Sequence, residues 1–113
     1  MREKDIEKIL VNGVKDVGGR AYKWVSPGNN GVPDRIVILP EGRIVFVELK
    51  TESGTLSSLQ QVQIKRLREL GQTVEIVKGV RGVIQFFEEY GYPDAASRIR
   101  TRCEPLGGRQ DDI

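Results

Sequence analysis

The segment Ile44-Val45-Phe46-Val47-Glu48-Leu49-Lys50 constrains the fold of this chain more than any other. Alternate residues of a strand face opposite sides of a sheet. Ile44, Phe46, Glu48 and Lys50 then share one side, and Val45, Val47 and Leu49 the other. Both sides are largely apolar, the pattern of a central strand covered on both faces. The chain is therefore expected to be layered, with helices packed on a sheet. Glu48 and Lys50 are the exception, emerging side by side next to Phe46. A charge beside a core is costly unless it is paired or holds a metal. A strand that simply leaves the core would show the same residues, so this segment alone does not establish a function.

The flanking sequence supplies the layers. Residues 3–17 place Ile6, Ile9, Leu10, Gly13, Val14 and Val17 near one face at helical spacing, and Gly18-Gly19 ends that helix. A strand is expected over 21–25, a loop over 26–31, a strand over 34–39, and a tight connection at Pro40-Glu41-Gly42 leading into the strand 43–50. After a polar loop, a helix runs over 57–70 to Gly71, with Ser57 and Gln60 at the spacing of a capping box. A strand at 73–78 and a helix at 81–90 complete the order αβββαβα, with a further helix at 94–102. This predicts an α/β fold, one mixed sheet flanked by helices, in a single domain over residues 1–103. The tail 104–113 has little apolar content and is expected to fray.

Composition narrows the chemistry. At 113 residues the chain can bury one core without disulfides. It has one cysteine, Cys103, and no histidine. This excludes His general bases, Ser-His and Cys-His nucleophile pairs, and His- or Cys-rich zinc sites. A metal site here has only carboxylates and carbonyls to draw on, a donor set for Mg2+ or Mn2+. The net charge of +2 is too small to argue for nucleic acid by itself. Lys65, Arg66 and Arg68 form one basic cluster and Arg98, Arg100 and Arg102 another, either solvated helix faces or nucleic-acid contacts. No apolar run approaches the roughly 20 residues needed to span a bilayer. The opening Met-Arg-Glu-Lys-Asp lacks an apolar signal core, so a cytoplasmic location is expected.

The strand beginning Gly31-Val32-Pro33-Asp34 gives Glu48 and Lys50 a context. If it pairs with 43–50 as a hairpin, its start lies opposite the other strand's end, which brings Asp34 beside both. Two convergent carboxylates can hold a divalent cation through oxygen, with positions left for water and a phosphate. The lysine can orient water or offset charge in the transition state.

Pro33-Asp34 and Glu48-Leu49-Lys50, with thirteen residues between Asp34 and Glu48, resemble the PD-(D/E)xK nuclease superfamily. The surroundings sharpen the likeness: the leading helix, the loop 26–31, Gly31-Val32-Pro33-Asp34-Arg35, Gly54-x-Leu56-Ser57-x-x-Gln60 and Leu67-x-x-x-Gly71 together resemble the VRR-NUC (virus-type replication-repair nuclease) family over residues 3–80. Val77-Lys78-Gly79-Val80-Arg81-Gly82 matches the family's basic pattern more loosely. The resemblance implies a restriction-endonuclease-like αβββαβ core. It implies Asp34 and Glu48 as metal ligands, the Leu49 carbonyl as a third, and Lys50 as the catalytic lysine. Gln60 matches the glutamine near the metal site, a role compatible with capping Ser57, whereas Gln61 does not fit the spacing. The family's first-helix glutamate has two candidates. Helical phase favours Glu3, at the flank of the apolar face, with Glu7 further round toward solvent. Tyr22, Lys23, Trp24 and the Asn29-Asn30-Gly31 loop read as packing and turn residues or as substrate contacts.

The resemblance points to a Mg2+- or Mn2+-dependent, structure-selective DNA endonuclease, similar to Holliday-junction-resolving enzymes of DNA repair. It implies a homodimer on branched DNA and a phage or mobile-element setting, with host cytoplasm as the compartment. The alternatives are a restriction-type site-specific nuclease and a non-catalytic nucleic-acid-binding module. The apolar run Val83, Ile84, Phe86 and Phe87, with Tyr90 and Tyr92, is the candidate dimer surface; the other reading is that it covers the sheet.

Overall fold

The structure is a computed structural model that describes residues 1–103. The tail expected to fray, 104–113, lies outside the described residues. The elements are α1 (Glu3–Asp16), β1 (Arg20–Lys23), β2 (Arg35–Leu39), a 3-10 turn (Pro40–Gly42), β3 (Arg43–Lys50), α2 (Ser58–Glu69), β4 (Val74–Lys78), α3 (Gly79–Glu89) and α4 (Pro93–Cys103). The strands lie in the order β1-β2-β3-β4. The β1/β2 and β2/β3 pairs are antiparallel and β3/β4 is parallel. The expected single mixed α/β sheet is therefore present, and β3 is one of its two inner strands.

Strand pairing explains which residues share a face. Val37 pairs with Val45, and Leu49 with Val77. These side chains meet Ile6, Leu10 and Val14 of α1, Val83 and Phe87 of α3, and Ala96 and Ile99 of α4 in one core. α1 and α3 meet closely at Gly13, where a Cβ would stand 2.6 Å from the Phe87 ring.

The opposite face departs from the expectation that β3 is covered on both sides. Three helices go to the first face, whereas the second has α2, whose buried Ile64 lies toward Ile76 of β4 and whose Arg68 donates to the Val74 carbonyl at 2.7 Å. Toward β1 the second face is open: Tyr22 is 56% exposed, Ile44 50% and Ile38 39%. A strand's apolar alternation shows that both faces can pack but not how many helices are available to cover them.

The dimer surface proposed from sequence needs correcting as well. Val83, Ile84, Phe86 and Phe87 are buried in the core, so the amphipathic side of α3 is used within the protomer. Tyr90 and Tyr92 are half-buried, and the Arg43 guanidinium donates to the Tyr90 carbonyl at 3.0 Å and to the Tyr92 hydroxyl at 2.6 Å. Among the described residues no helix is long and apolar enough to cross a membrane.

The two faces should respond differently to truncation. Phe87→Ala is expected to lower unfolding free energy by about 3–5 kcal/mol, because a fully enclosed ring leaves a cavity. Ile44→Ser should change it by about 0.5 kcal/mol or less, as a surface substitution. Urea denaturation of the two variants checks this; equal losses would mean that the open face is covered in solution.

Candidate active site

The β2/β3 register places the candidate residues. Arg35 pairs with Val47, so Asp34, one residue further out, lies at the level of Glu48. Pro33, fully buried and without an N–H, precedes it. The Trp24 N–H donates to the Asp34 carbonyl at 3.0 Å, and the Leu49 N–H donates to Asp34 Oδ2 at 2.8 Å. Asp34 is thus fixed at the mouth of the hairpin.

Glu48 is 1% exposed, a buried carboxyl in an otherwise apolar stretch of strand. Its Oε2 accepts from Gln60 Nε2 at 2.9 Å and lies 3.3 Å from Lys50 Nζ. Its Oε1 is buried and has no hydrogen-bond partner. Burial, and then the negative charge of Asp34, push the Glu48 carboxyl up to about 7, against the opposing pull of Lys50. Burial also raises Asp34, opposed by the Leu49 N–H and reinforced by the charge of Glu7. Two carboxyls that burial and neighbouring negative charge keep from ionising would be relieved by a cation between them. Among the described residues no group of three or more His, Cys, Asp or Glu side chains is gathered as a metal cage. The set present is two carboxylates, and the unpartnered, buried Glu48 Oε1 is an oxygen donor that fits a hard cation.

Gln60 combines the two roles raised from sequence. Its side-chain oxygen accepts from the Ser57 N–H at 2.9 Å, completing the capping box, while its amide nitrogen reaches Glu48. Gln61 is exposed, and its side chain donates to the Leu56 carbonyl at 3.4 Å. The Asn29-Asn30-Gly31 loop rests on α2: Gln63 donates to the Asn30 carbonyl at 3.3 Å. At Gly31, with φ +88°, a Cβ would stand 2.8 Å from the Leu59 carbonyl carbon. Trp24 packs on Phe46 with ring centroids 5.1 Å apart.

On α1, Glu3 is exposed, and its charge adds to the upward push on Glu48. The expectation that Glu7 projects further toward solvent is corrected. Glu7 Oε2 accepts from Arg35 Nε at 2.6 Å, with both side chains less than a fifth exposed. Arg35 also donates to the Ala21 carbonyl at 3.0 Å. Helical phase cannot reveal a partner 28 residues away. The available signal was Arg35 itself, a charge at the first residue of an otherwise apolar strand, where it needs a counter-charge.

Known proteins resemble this chain in sequence and fold. A family model described as the VRR-NUC domain matches residues 11–81, which include Asp34, Glu48, Lys50 and Gln60 but not Glu3 or Glu7. A protein named "Putative nuclease p44", from Acyrthosiphon pisum secondary endosymbiont phage 1, is 48% identical over 77 residues, 68% of this chain and 83% of that protein. A solved structure described as a VRR_NUC domain has a TM-score of 0.74 at 32% identity, covering 78% of this chain and 96% of that one. Another, a VRR_NUC domain protein, has a TM-score of 0.62 at 18% identity over 80% and 88% of the two chains, which speaks for the fold alone.

The raised Glu48 carboxyl has a thermodynamic consequence. Between 4.5 and about 7 the unfolded chain has released this proton and the metal-free native protein still holds it. Stability therefore falls as pH rises through that window, by on the order of 2 kcal/mol in total. Denaturant titrations in EDTA at pH 5 and pH 8 should show this fall. Glu48→Gln, which cannot ionise, should largely remove it. An equal pH dependence in the variant would assign the effect to other groups.

Proposed function

We propose that this chain, which belongs to the VRR-NUC domain family and is a nuclease domain, is a DNA endonuclease that depends on Mg2+ or Mn2+. The observation that carries the metal dependence is the hairpin mouth itself, where half-buried Asp34 acts on buried Glu48, whose Oε2 meets Lys50 and Gln60 and whose Oε1 is unpartnered.

In this reading Asp34, Glu48 and the Leu49 carbonyl hold the cation. When bound, the cation supplies charge to polarise the phosphate and acidify a water. Hydrolysis would join a water oxygen to phosphorus and break the bond from phosphorus to the leaving sugar oxygen, the proton lost by the water being balanced by one taken up by that sugar oxygen. Lys50, at the end of β3 beside Glu48, offsets the charge that grows on the phosphoryl oxygens. Gln60 holds the Glu48 carboxylate in place through its Oε2. Glu3 lends negative charge at the edge of the same site.

The finer reading is a homodimer that prefers branched DNA, in the manner of a junction-resolving enzyme. One protomer with a net charge of +2 grips a duplex weakly, and salt weakens that grip further. A two-fold pair offers two sites to two strands and gains avidity from engaging two arms at once. Its interface has to come from surface other than the core side of α3. The similarity to a phage protein supports a viral setting with host cytoplasm as the compartment.

Asp34→Ala and Glu48→Ala should each lower cleavage at least about 10²-fold while the protein stays folded. Lys50→Ala should lose cleavage but keep Mn2+ binding, because an ammonium is not a ligand. EDTA should stop the wild type and Mg2+ or Mn2+ restore it, measured on labelled DNA. Full activity in excess EDTA would rule the metal reading out.

For assembly, sedimentation equilibrium at micromolar protein should return a dimer mass, and a four-way junction should be cut faster than a matched duplex. A monomer, or equal rates on the two substrates, would remove the resolvase-like part and leave the nuclease reading standing.

A further inference from the structure

We propose that the backbone N–H of Ser57 is a positioning group for the metal site. It fixes the Gln60 carboxamide in one orientation and so decides which oxygen of Glu48 is presented to the cation. This inference rests on the metal-dependent reading above.

A carboxamide has an acceptor at one end and a donor at the other. The Ser57 N–H donates to Gln60 Oε1 at 2.9 Å, which occupies the acceptor end. Gln60 Nε2 must then face away from the helix start, where it donates to Glu48 Oε2 at 2.9 Å. A flipped amide would set donor against donor at Ser57 and acceptor against acceptor at Glu48. The peptide N–H at the start of α2 thus selects a single rotamer of a side chain in the site. The Ser57 hydroxyl holds the other half of the box by accepting from the Gln60 N–H at 3.1 Å.

The consequence falls on Glu48. Its Oε2 is taken by Gln60 and also lies 3.3 Å from Lys50 Nζ. Its Oε1 is equally buried and has no partner. The capping box therefore leaves one defined oxygen of a buried carboxyl free, in a group close enough to Asp34 to feel its charge. The residues that cap α2 and those that hold the cation act as one hydrogen-bonded unit, and removing such an outer partner of a ligand characteristically weakens metal binding about 10–100-fold.

Mn2+ titration calorimetry on Ser57→Pro, Ser57→Ala, Gln60→Ala and the Ser57→Pro/Gln60→Ala double variant tests this, with circular dichroism melts to verify folding. Proline deletes the N–H and suits the local φ of −72°. Alanine deletes only the hydroxyl and measures the effect of capping alone. Gln60→Ala should bind Mn2+ at least about tenfold more weakly than the wild type. Ser57→Pro should approach that loss and exceed the loss in Ser57→Ala. The double variant should lose no more than Gln60→Ala, because both changes break the same unit. Wild-type Mn2+ affinity in Gln60→Ala, or Ser57→Pro matching Ser57→Ala, would overturn the proposal while the metal reading stands. No Mn2+ uptake by the wild type would overturn both.

Discussion

A carboxylate sits inside a β-sheet, and much of this structure can be understood as the means of keeping it there. Glu48 is flanked along β3 by fully buried valine and leucine side chains and is itself almost inaccessible to water. Taking an ionised carboxylate out of water costs several kcal/mol unless partners replace the solvent. Lys50, two residues along the same strand, and Gln60, from the first turn of α2, supply that replacement at one oxygen. The other oxygen has none, and the group responds by holding its proton to about pH 7. A domain that kept such a group only for stability would do better with a leucine. A cation bound there, as proposed above, would offset that cost.

The same constraint organises the secondary structure around the site. Placing Asp34 opposite Glu48 needs the antiparallel register from Arg35↔Val47 to Leu39↔Arg43, closed by the short turn at Pro40–Gly42. Bringing Gln60 over Glu48 needs α2 on the second face of the sheet, with its N-terminus at the site. Gly31 lets the incoming loop lie against the first turn of α2, where a side chain would strike the backbone. On the first face, the Glu7–Arg35 pair ties α1 to the strand that carries Asp34. These residues are thus held by contacts from elements on both faces of the sheet.

Much of this was legible in the residues. Periodicity located each helix and strand to within a few positions, because an exclusively local rule governs which side of an element faces a core. The hairpin placed Asp34 beside Glu48 and Lys50, because strand pairing with a short turn fixes which residues lie opposite. The capping box could be read from the spacing of Ser57 and Gln60, for the same local reason. The readings that failed concerned partners far apart in sequence. Helical phase alone points Glu7 toward solvent, because nothing in α1 reveals Arg35. The apolar side of α3 reads from sequence either as an interface or as a cover for the sheet, because a helix pattern cannot show which will bury it.

The sequence by itself determined the order of the elements, the apolar face of each, and the meeting of two carboxyls and a lysine at the hairpin mouth. These follow from the fixed geometry of helix, strand and tight turn. Only the tertiary structure decided which sheet face three helices would take and which would be left with α2 alone. It alone joined the Ser57 cap through Gln60 to Glu48, and Glu7 to Arg35. The reason is physical: such pairings depend on how whole elements pack in space, and packing is settled by volume and burial summed over the domain rather than by the spacing of residues along the chain.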